Sequence, residues 1–154
     1  MSHFDYCDIL YNDISVELLQ KLQRVHNVCF RFIFITSHYD HVSQHFSELS
    51  WLRLNERRIL HSLSLLYNIL KHSSPSYLAS RFHRLSSYHT LDTRSQQNSL
   101  LSIPQHRTSL YSDSYTISVV RCWNSLPEEI RGRRNLEAFK SMLVDHLQNE
   151  NSHV

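Results

Sequence analysis

The scarcity of glycine is the feature that most limits how this sequence can fold. Gly132 is the only glycine in 154 residues, whereas average usage is about 7%. Glycine supplies the left-handed backbone conformations of many tight turns and lets a loop close around a phosphate group. We therefore expect neither an all-β fold nor a dinucleotide-binding fold. Hydrophobic residues make up 41% and charged residues 19% of the chain, which is typical of globular protein.

Apolar residues recur at helical spacing in several segments. In the first of them, Leu18, Leu22, Val25, Cys29 and Phe32 alternate steps of four and three, so they fall on one helical face. Ser15 precedes this segment and Asn135 precedes the last one, where both are suitable N-caps. The predicted helices are residues 16–35, 41–49, 55–71, 117–126 and 136–148.

These segments predict a mostly α fold, a small helical array with a long polar loop or short hairpin in the middle. An N-terminal helical part covers residues 1–80, and a polar loop region covers residues 81–114, where 100–103 and 108–111 are candidate short strands. A C-terminal helical part covers residues 115–148, and we expect residues 149–154 to fray. The end of the first helix, residues 29–35, is apolar nearly all round, so we expect it to be buried on several sides or to contact a partner.

The three cysteines, Cys7, Cys29 and Cys122, are odd in number and far apart. This spacing predicts neither a disulfide framework nor a zinc cluster. We expect Cys29 and Cys122 to be buried thiols, and the chain to reside in a reducing compartment, the cytoplasm or nucleus. The N-terminus does not resemble a secretion signal, and no apolar run is long enough to span a membrane.

Two clusters are candidates for a catalytic or metal site. His41 and His45 would share a helical face, with His38 nearby, but no general-base carboxylate lies between them as in zinc proteases. Asp5 and Asp8 are reminiscent of polymerase metal boxes, but the second aspartate of an adjacent pair is missing. We therefore predict no catalytic residue and no metal site.

Two arginine groups are candidates for nucleic-acid binding. One is the turn containing Arg131, Arg133 and Arg134; the other contains Arg53, Arg57 and Arg58 near Trp51. Guanidinium groups bind phosphate oxygens in a bidentate manner, and an aromatic ring beside them can stack on a base. The alternatives left open are an exposed solvated loop for the first group and a core role for Trp51.

Three stretches, taken together and in order, resemble one family. The first is Ser2-His-Phe-Asp-Tyr-Cys-Asp-Ile-Leu-Tyr11, followed by Leu18-Leu-Gln-Lys-Leu-Gln-Arg-Val-His-Asn27. The second is Leu49-Ser-Trp51-Leu52, with Glu56-Arg-Arg-Ile59 and Pro75-Ser-Tyr-Leu78. The third is Arg107-Thr-Ser-Leu-Tyr111, Ser114-Tyr115, Cys122-Trp123-Asn124-Ser-Leu126-Pro127, Ile130-Arg131 and Phe139-Lys140. This set is similar to the C-terminal region of reverse transcriptases from non-LTR (LINE) retrotransposons of the jockey-like group, which follows the palm and includes the thumb.

The resemblance implies that the N-terminal part is thumb-like and grips the RNA or DNA backbone while packing on the palm. In that family the polymerase uses two Mg²⁺ ions on palm aspartates, upstream of the matching region. We therefore expect a truncated fragment of an RNA-directed DNA polymerase, with residual nucleic-acid binding and no cofactor or polymerase activity of its own. The alternative is a helical interaction module that docks the missing palm domain, or another protein, through the apolar end of its first helix. Neither function involves a membrane.

Overall fold

The computed structural model describes residues 5–11, 14–37, 42, 46, 49, 51–85 and 99–151. The described part is mostly helical, which confirms the predicted fold class. A short 3₁₀ turn at Asp8–Tyr11 precedes the first α-helix. The α-helices are α1 (Val16–Phe34), α2 (Leu54–His72), α3 (Ser76–Ala79), α4 (Ser109–Ser112), α5 (Tyr115–Ser125), α6 (Glu128–Arg131) and α7 (Leu136–Asn151).

The predicted helix starts are confirmed at the caps. The Ser15 hydroxyl accepts a hydrogen bond from the Leu18 amide at 3.3 Å, and the Asn135 side chain accepts one from the Glu137 amide at 3.3 Å. At its other end α7 continues to Asn151 rather than ending at Gln148. Leu147 is buried in the core and anchors the last turns of the helix; residues 152–154 lie outside the described part, and fraying of residues 149–154 stays a prediction.

The main core forms around α2, which packs against α5 and α7. Phe139 of α7 is fully buried; its ring stacks on Tyr67 of α2 at a centroid distance of 4.8 Å and lies 5.8 Å from the ring of Trp123 of α5. Helical spacing explains the arrangement, because each of these helices presents an apolar stripe to the other two. The buried members of this core are Leu52, Leu63, Leu66, Tyr67, Ile69, Phe82, Leu101, Val119, Val120, Trp123, Leu126, Ile130, Phe139, Leu143 and Leu147.

The polar middle region differs from the expectation at both of its candidate strands. Residues 109–112 form α4, because the Thr108 hydroxyl caps the Tyr111 amide and favours a helical turn. Leu101 makes an isolated antiparallel bridge with Arg84, so residues 100–103 contribute one bridge rather than a strand. The rest of the candidate loop, residues 86–98, lies outside the described part.

A smaller apolar cluster holds α1. Phe30 has no exposed surface, and its ring stacks on Phe46 at 4.8 Å and meets Trp51 edge-on at 5.7 Å. Val42 completes this cluster. The short helix predicted over residues 41–49 falls mostly outside the described residues; of those described, Val42 and Phe46 are buried and Leu49 is exposed.

The predicted apolar face of α1 points to solvent within the described part of the chain. Leu18 and Val25 are exposed, and the Phe32 side chain is 86% exposed. The buried residues of α1 are His26 and Phe30 instead. This orientation follows from the contacts of α1, because Phe30 enters the smaller cluster and Gln23 accepts a hydrogen bond from the Leu54 amide at 3.1 Å. The apolar end of α1 therefore is not buried on several sides, and Ile35 is 92% exposed.

Two further expectations concern the cysteines and the membrane. Cys7 is exposed, whereas Cys29 and Cys122 are half-buried rather than buried; Cys122 packs against the margin of the main core. The surrounding core nevertheless raises the pKa of the Cys122 thiol by disfavouring the thiolate.

None of the described helices is both long and apolar enough to cross a bilayer.

Candidate nucleic-acid interface

The loop that follows α6 is attached to α2 by two side chains. Tyr67 donates a hydrogen bond from its hydroxyl to the Arg133 carbonyl at 2.9 Å, and Lys71 donates from its ammonium group to the Arg134 carbonyl at 2.9 Å. Tyr67 and Lys71 are one helical turn apart, so they reach successive residues of the loop. The basic turn predicted from the sequence is therefore held in a defined position, although Arg133 and Arg134 themselves are exposed.

Arg131 lies at the end of α6 and is buried, since only 9% of it is exposed. One terminal nitrogen of its guanidinium group donates to the Asn124 carbonyl at 3.2 Å. Its Nε atom is buried and has no hydrogen-bond partner within the described part of the chain. Burying a charged group without full pairing is costly, so Arg131 is an unusual residue to find at this position.

Residues 123–127, the most specific piece of the resemblance and here called the Trp-Asn-Ser-Leu-Pro box, build the wall beside Arg131. The Trp123 indole donates to the Ser99 carbonyl at 3.1 Å. The Asn124 amide accepts from the Leu101 amide at 3.0 Å and donates to the Leu101 carbonyl at 2.9 Å, as a neighbouring strand would. Because Leu101 bridges to Arg84, this anchoring also positions Arg84.

The last two residues of the box position α6. Leu126 is buried in the main core. Pro127 precedes the first residue of α6, where its missing amide hydrogen costs nothing. Its carbonyl accepts hydrogen bonds from the amides of Ile130 and Arg131. The box therefore sets the place of Arg131 as well as that of Arg84.

These elements enclose an open cleft of about 310 Å³. Five of the lining residues are cations, and no acidic residue lines the cleft within the described part of the chain. The lining residues are Tyr67, Leu70, Lys71, Arg84, Ser99, Trp123, Arg131, Arg133 and Arg134. We refer to this site as the cationic cleft.

Within the described residues, Lys71, Arg131, Arg133 and Arg134 form no ion pair with a carboxylate. The side chains of Lys71, Arg131 and Arg133 donate hydrogen bonds to backbone carbonyls instead, including one from the Arg133 Nε atom to the Glu129 carbonyl at 3.2 Å. Carbonyls orient a cation without neutralising it. The cleft therefore concentrates positive potential and attracts anions.

The second predicted arginine group does not share one surface. Arg53 is exposed at the start of α2. Arg57 makes a bidentate ion pair with Asp5, at 3.1 Å from Nε to Oδ1 and 2.6 Å from Nη2 to Oδ2, and Arg58 is buried. Trp51 is half-buried in the smaller cluster. This placement favours structural roles for Arg57 and Arg58, and nucleic-acid binding by the group stays a prediction.

Asp5 and Asp8 meet His61, and the potential metal-ligand atoms of the three lie within 4.8 Å of one another. The His61 ring contacts the buried Asp8 carboxylate at 2.5 Å, and Asp5 is engaged by Arg57. Both carboxylates therefore already have partners on α2. These pairs attach the N-terminal segment to α2, which explains why the three side chains lie together. His38, His41 and His45 lie outside the described residues.

Local sequence patterns identify three of the cleft's cations and miss Lys71 and Arg84. Lys71 lies near the end of α2 and Arg84 belongs to the polar middle region, and neither carries a local signature of phosphate binding. Both reach the cleft only because α2 packs on α5 and α7 and because Asn124 binds Leu101. The pairing of residues far apart in the chain is the information that the sequence pattern lacks.

No family model matches the sequence, and no curated protein or solved structure is significantly similar to it. The resemblance to non-LTR reverse transcriptases therefore stays a prediction that rests on the residues quoted above.

Proposed function

We propose that this chain binds the phosphate backbone of RNA or DNA through the cationic cleft. The observation that carries the proposal is the convergence of Lys71, Arg84, Arg131, Arg133 and Arg134 on one cleft that has no carboxylate among its described lining residues. Phosphate contacts supply most of the affinity in sequence-independent nucleic-acid binding. Arginine suits this role because its planar fork of donors matches a phosphate group.

We also propose that the chain corresponds to the C-terminal, post-palm region of a non-LTR retrotransposon reverse transcriptase. In that setting the cleft grips the primer-template backbone, and the polymerase chemistry belongs to the Mg²⁺-binding palm. The support is that Trp123 and Asn124, from the most specific piece of the resemblance, hold the segment that positions Arg84. Incorporation of deoxynucleotides by the purified chain, lost on mutating Asp5 and Asp8, would contradict this assignment.

The cleft is tested by reversing its exposed charges. We expect the triple variant Lys71→Glu, Arg133→Glu, Arg134→Glu to lose binding to a fluorescent single-stranded or duplex oligonucleotide at about 50 mM salt. Variants with one reversal each should retain weaker binding, and the slope of log affinity against log salt should fall by about 0.9 for each duplex phosphate that the variant no longer binds. Fluorescence anisotropy titrations at several salt concentrations measure both quantities.

The matched control reverses two exposed arginines outside the cleft, Arg24→Glu and Arg107→Glu. This control changes the net charge by −4, against −6 for the cleft variant, so the loss of affinity per unit of charge separates a local contact from a general attraction. We expect it to keep most of its affinity. Equal loss of binding in the control and in the cleft variant would reject the cleft as the binding surface.

A second candidate function, favoured by the exposure of α1, is docking of a protein partner. Phe32 and Ile35 are almost fully exposed beside the half-exposed Ile33, and large exposed apolar patches mark interaction sites. The partner that fits the resemblance is the apolar surface of a polymerase palm, and the alternative partner is another protein with a complementary apolar surface. Co-purification with a co-expressed palm domain should survive high salt and be lost in Phe32→Asp, Ile35→Asp, whereas salt-sensitive binding unaffected by these changes would exclude apolar docking.

A further inference from the structure

We propose that the cationic cleft takes the terminal phosphate monoester of a nucleic-acid strand in preference to an internal phosphodiester. This inference rests on the proposed function, because it assigns a particular phosphate to the same cleft. An internal diester carries one negative charge, whereas a terminal monoester carries about −1.5 to −2 at neutral pH and presents three acceptor oxygens. The two ligands therefore differ in negative charge. A cleft that concentrates positive charge at one place should favour the more negative ligand.

The first argument is the burial of Arg131. Only 9% of this residue is exposed, and its buried Nε atom has no partner within the described residues. A flat backbone-gripping surface would need only solvated arginines such as Arg133 and Arg134. A guanidinium group held at the wall of a cleft, bonded to one carbonyl and paired with no carboxylate among the described residues, instead fits an anion that enters the cleft.

The second argument is the shape of the site. A volume of about 310 Å³ is at the lower end of the range for small-molecule sites, about 300–1,000 Å³. The cleft itself accommodates a phosphate with part of its nucleotide, and the rest of the strand lies outside it. A strand end can enter such a space, while an internal phosphate must bring in its neighbours on both sides.

The third argument is the fixed position of the donors. Tyr67 and Lys71 hold the carbonyls of Arg133 and Arg134, and Asn124 holds both Leu101 and Arg131. The backbone around the cationic cleft is therefore attached at several points before a ligand arrives. A backbone attached in this way favours a compact, highly charged ligand, because only side chains need to be ordered on binding.

The experiment compares three oligonucleotides of one sequence, ending in a 5′-phosphate, a 3′-phosphate or hydroxyls at both ends, with inorganic phosphate as a competitor. Affinities are measured by fluorescence anisotropy, with the dye placed internally. We expect one phosphorylated end to bind at least about tenfold more tightly than the hydroxyl form at pH 7.5. This preference should decline as the pH falls through about 6, where the monoester loses its second charge.

Two variants locate the preference. Arg131→Gln should reduce the ratio of affinities for phosphorylated and hydroxyl ends to near unity. Because Arg131 is buried, circular dichroism is used to check that this variant still folds. Arg134→Gln alters an exposed residue and should reduce the preference several-fold without affecting folding. Arg24→Gln, outside the cleft on α1, is the matched control and should retain the wild-type ratio.

Equal affinity for phosphorylated and hydroxyl ends, together with loss of binding in the charge-reversal variant, would overturn this inference and leave the proposed function standing. Absence of binding to every oligonucleotide would overturn both. Inorganic phosphate binding as tightly as the phosphorylated oligonucleotide would also overturn it, because the cleft would then be a site for free anions.

Discussion

The two apolar clusters of this molecule differ in how completely they are enclosed. Around α2, helices α5 and α7 cover the apolar side chains from several directions, and Phe139 has no exposed surface. Around α1, one cluster holds Phe30 while the opposite apolar side of the same helix remains at the surface. Both helices carry an apolar stripe. Whether the stripe is buried therefore depends on which other elements pack against the helix. The cationic cleft belongs to the better enclosed region, where its backbone is attached to α2 and α5 by hydrogen bonds.

The largest effect should come from truncating one phenylalanine in each region. Phe139→Ala removes a ring that packs on Tyr67 and Trp123, so we expect a loss of about 3–5 kcal/mol in the free energy of unfolding. Phe32→Ala, at an 86% exposed position, should change it by less than about 0.5 kcal/mol. Urea unfolding followed by circular dichroism measures both. Similar losses would mean that α1 is covered in solution by an interaction such as self-association.

A smaller effect should come from the amide side chains that bind backbone groups in each region. Asn124→Ala leaves both the amide and the carbonyl of Leu101 without this partner, and we expect a loss of about 2–4 kcal/mol from two such groups. Gln23→Ala removes one hydrogen bond with the Leu54 amide at the start of α2 and one with the Asn27 side chain, so a loss of about 1–2 kcal/mol is expected.

Thermal unfolding of Asn124→Ala and Gln23→Ala shows which of the two variants loses more stability. Asn124→Asp retains the acceptor and loses the donor, so it should fall between Asn124→Ala and the wild type. A larger loss for Gln23→Ala than for Asn124→Ala would reverse the comparison between the two regions.

The smallest effect should be a pH dependence that belongs to the α1 region. Burial lowers the pKa of His26 below its ordinary value of 6.5, and the positive charge of Arg57 adds to this, while Asp5 opposes it. The unfolded chain therefore takes up a proton at a higher pH than the folded chain does. The contribution of neutral His26 to the free energy of unfolding is fully present above pH 6.5. It is lost as the pH falls through the lower pKa that His26 has in the folded chain.

Urea unfolding at pH 7.5 and 5.5 tests this dependence. We expect the wild type to lose stability on acidification by more than His26→Gln does, since the variant lacks the titrating group. His146→Gln on α7 is a half-buried control that should keep the wild-type dependence. An equal pH dependence in the wild type and His26→Gln would remove His26 as its source.

The helices could be predicted from local patterns, because spacing and capping residues act within a few positions. Ser15 and Asn135 cap the helices that follow them as expected. The orientation of α1 could not be predicted in this way, since Leu18 and Val25 form a regular apolar face yet lie at the surface. The packed side is set by Phe46 and by the start of α2, which periodicity within α1 does not reveal. In the same way Arg131 is identifiable from its basic neighbours, but its burial depends on Asn124 and on the fold around it.

The anchoring of Leu101 by Asn124 also bears on how freely the middle of the chain can change in length. Leu85 donates an amide hydrogen bond to the Leu100 carbonyl at 3.1 Å, and Ser102 donates one to the His83 carbonyl at 2.8 Å. The two ends of the intervening segment are thus joined by the fold, whatever lies between them. Closing a loop costs only about 0.6 kcal/mol more for each doubling of its length. A change in the length of chain between Leu85 and Leu100 should therefore cost little in closure entropy as long as these two hydrogen bonds are kept.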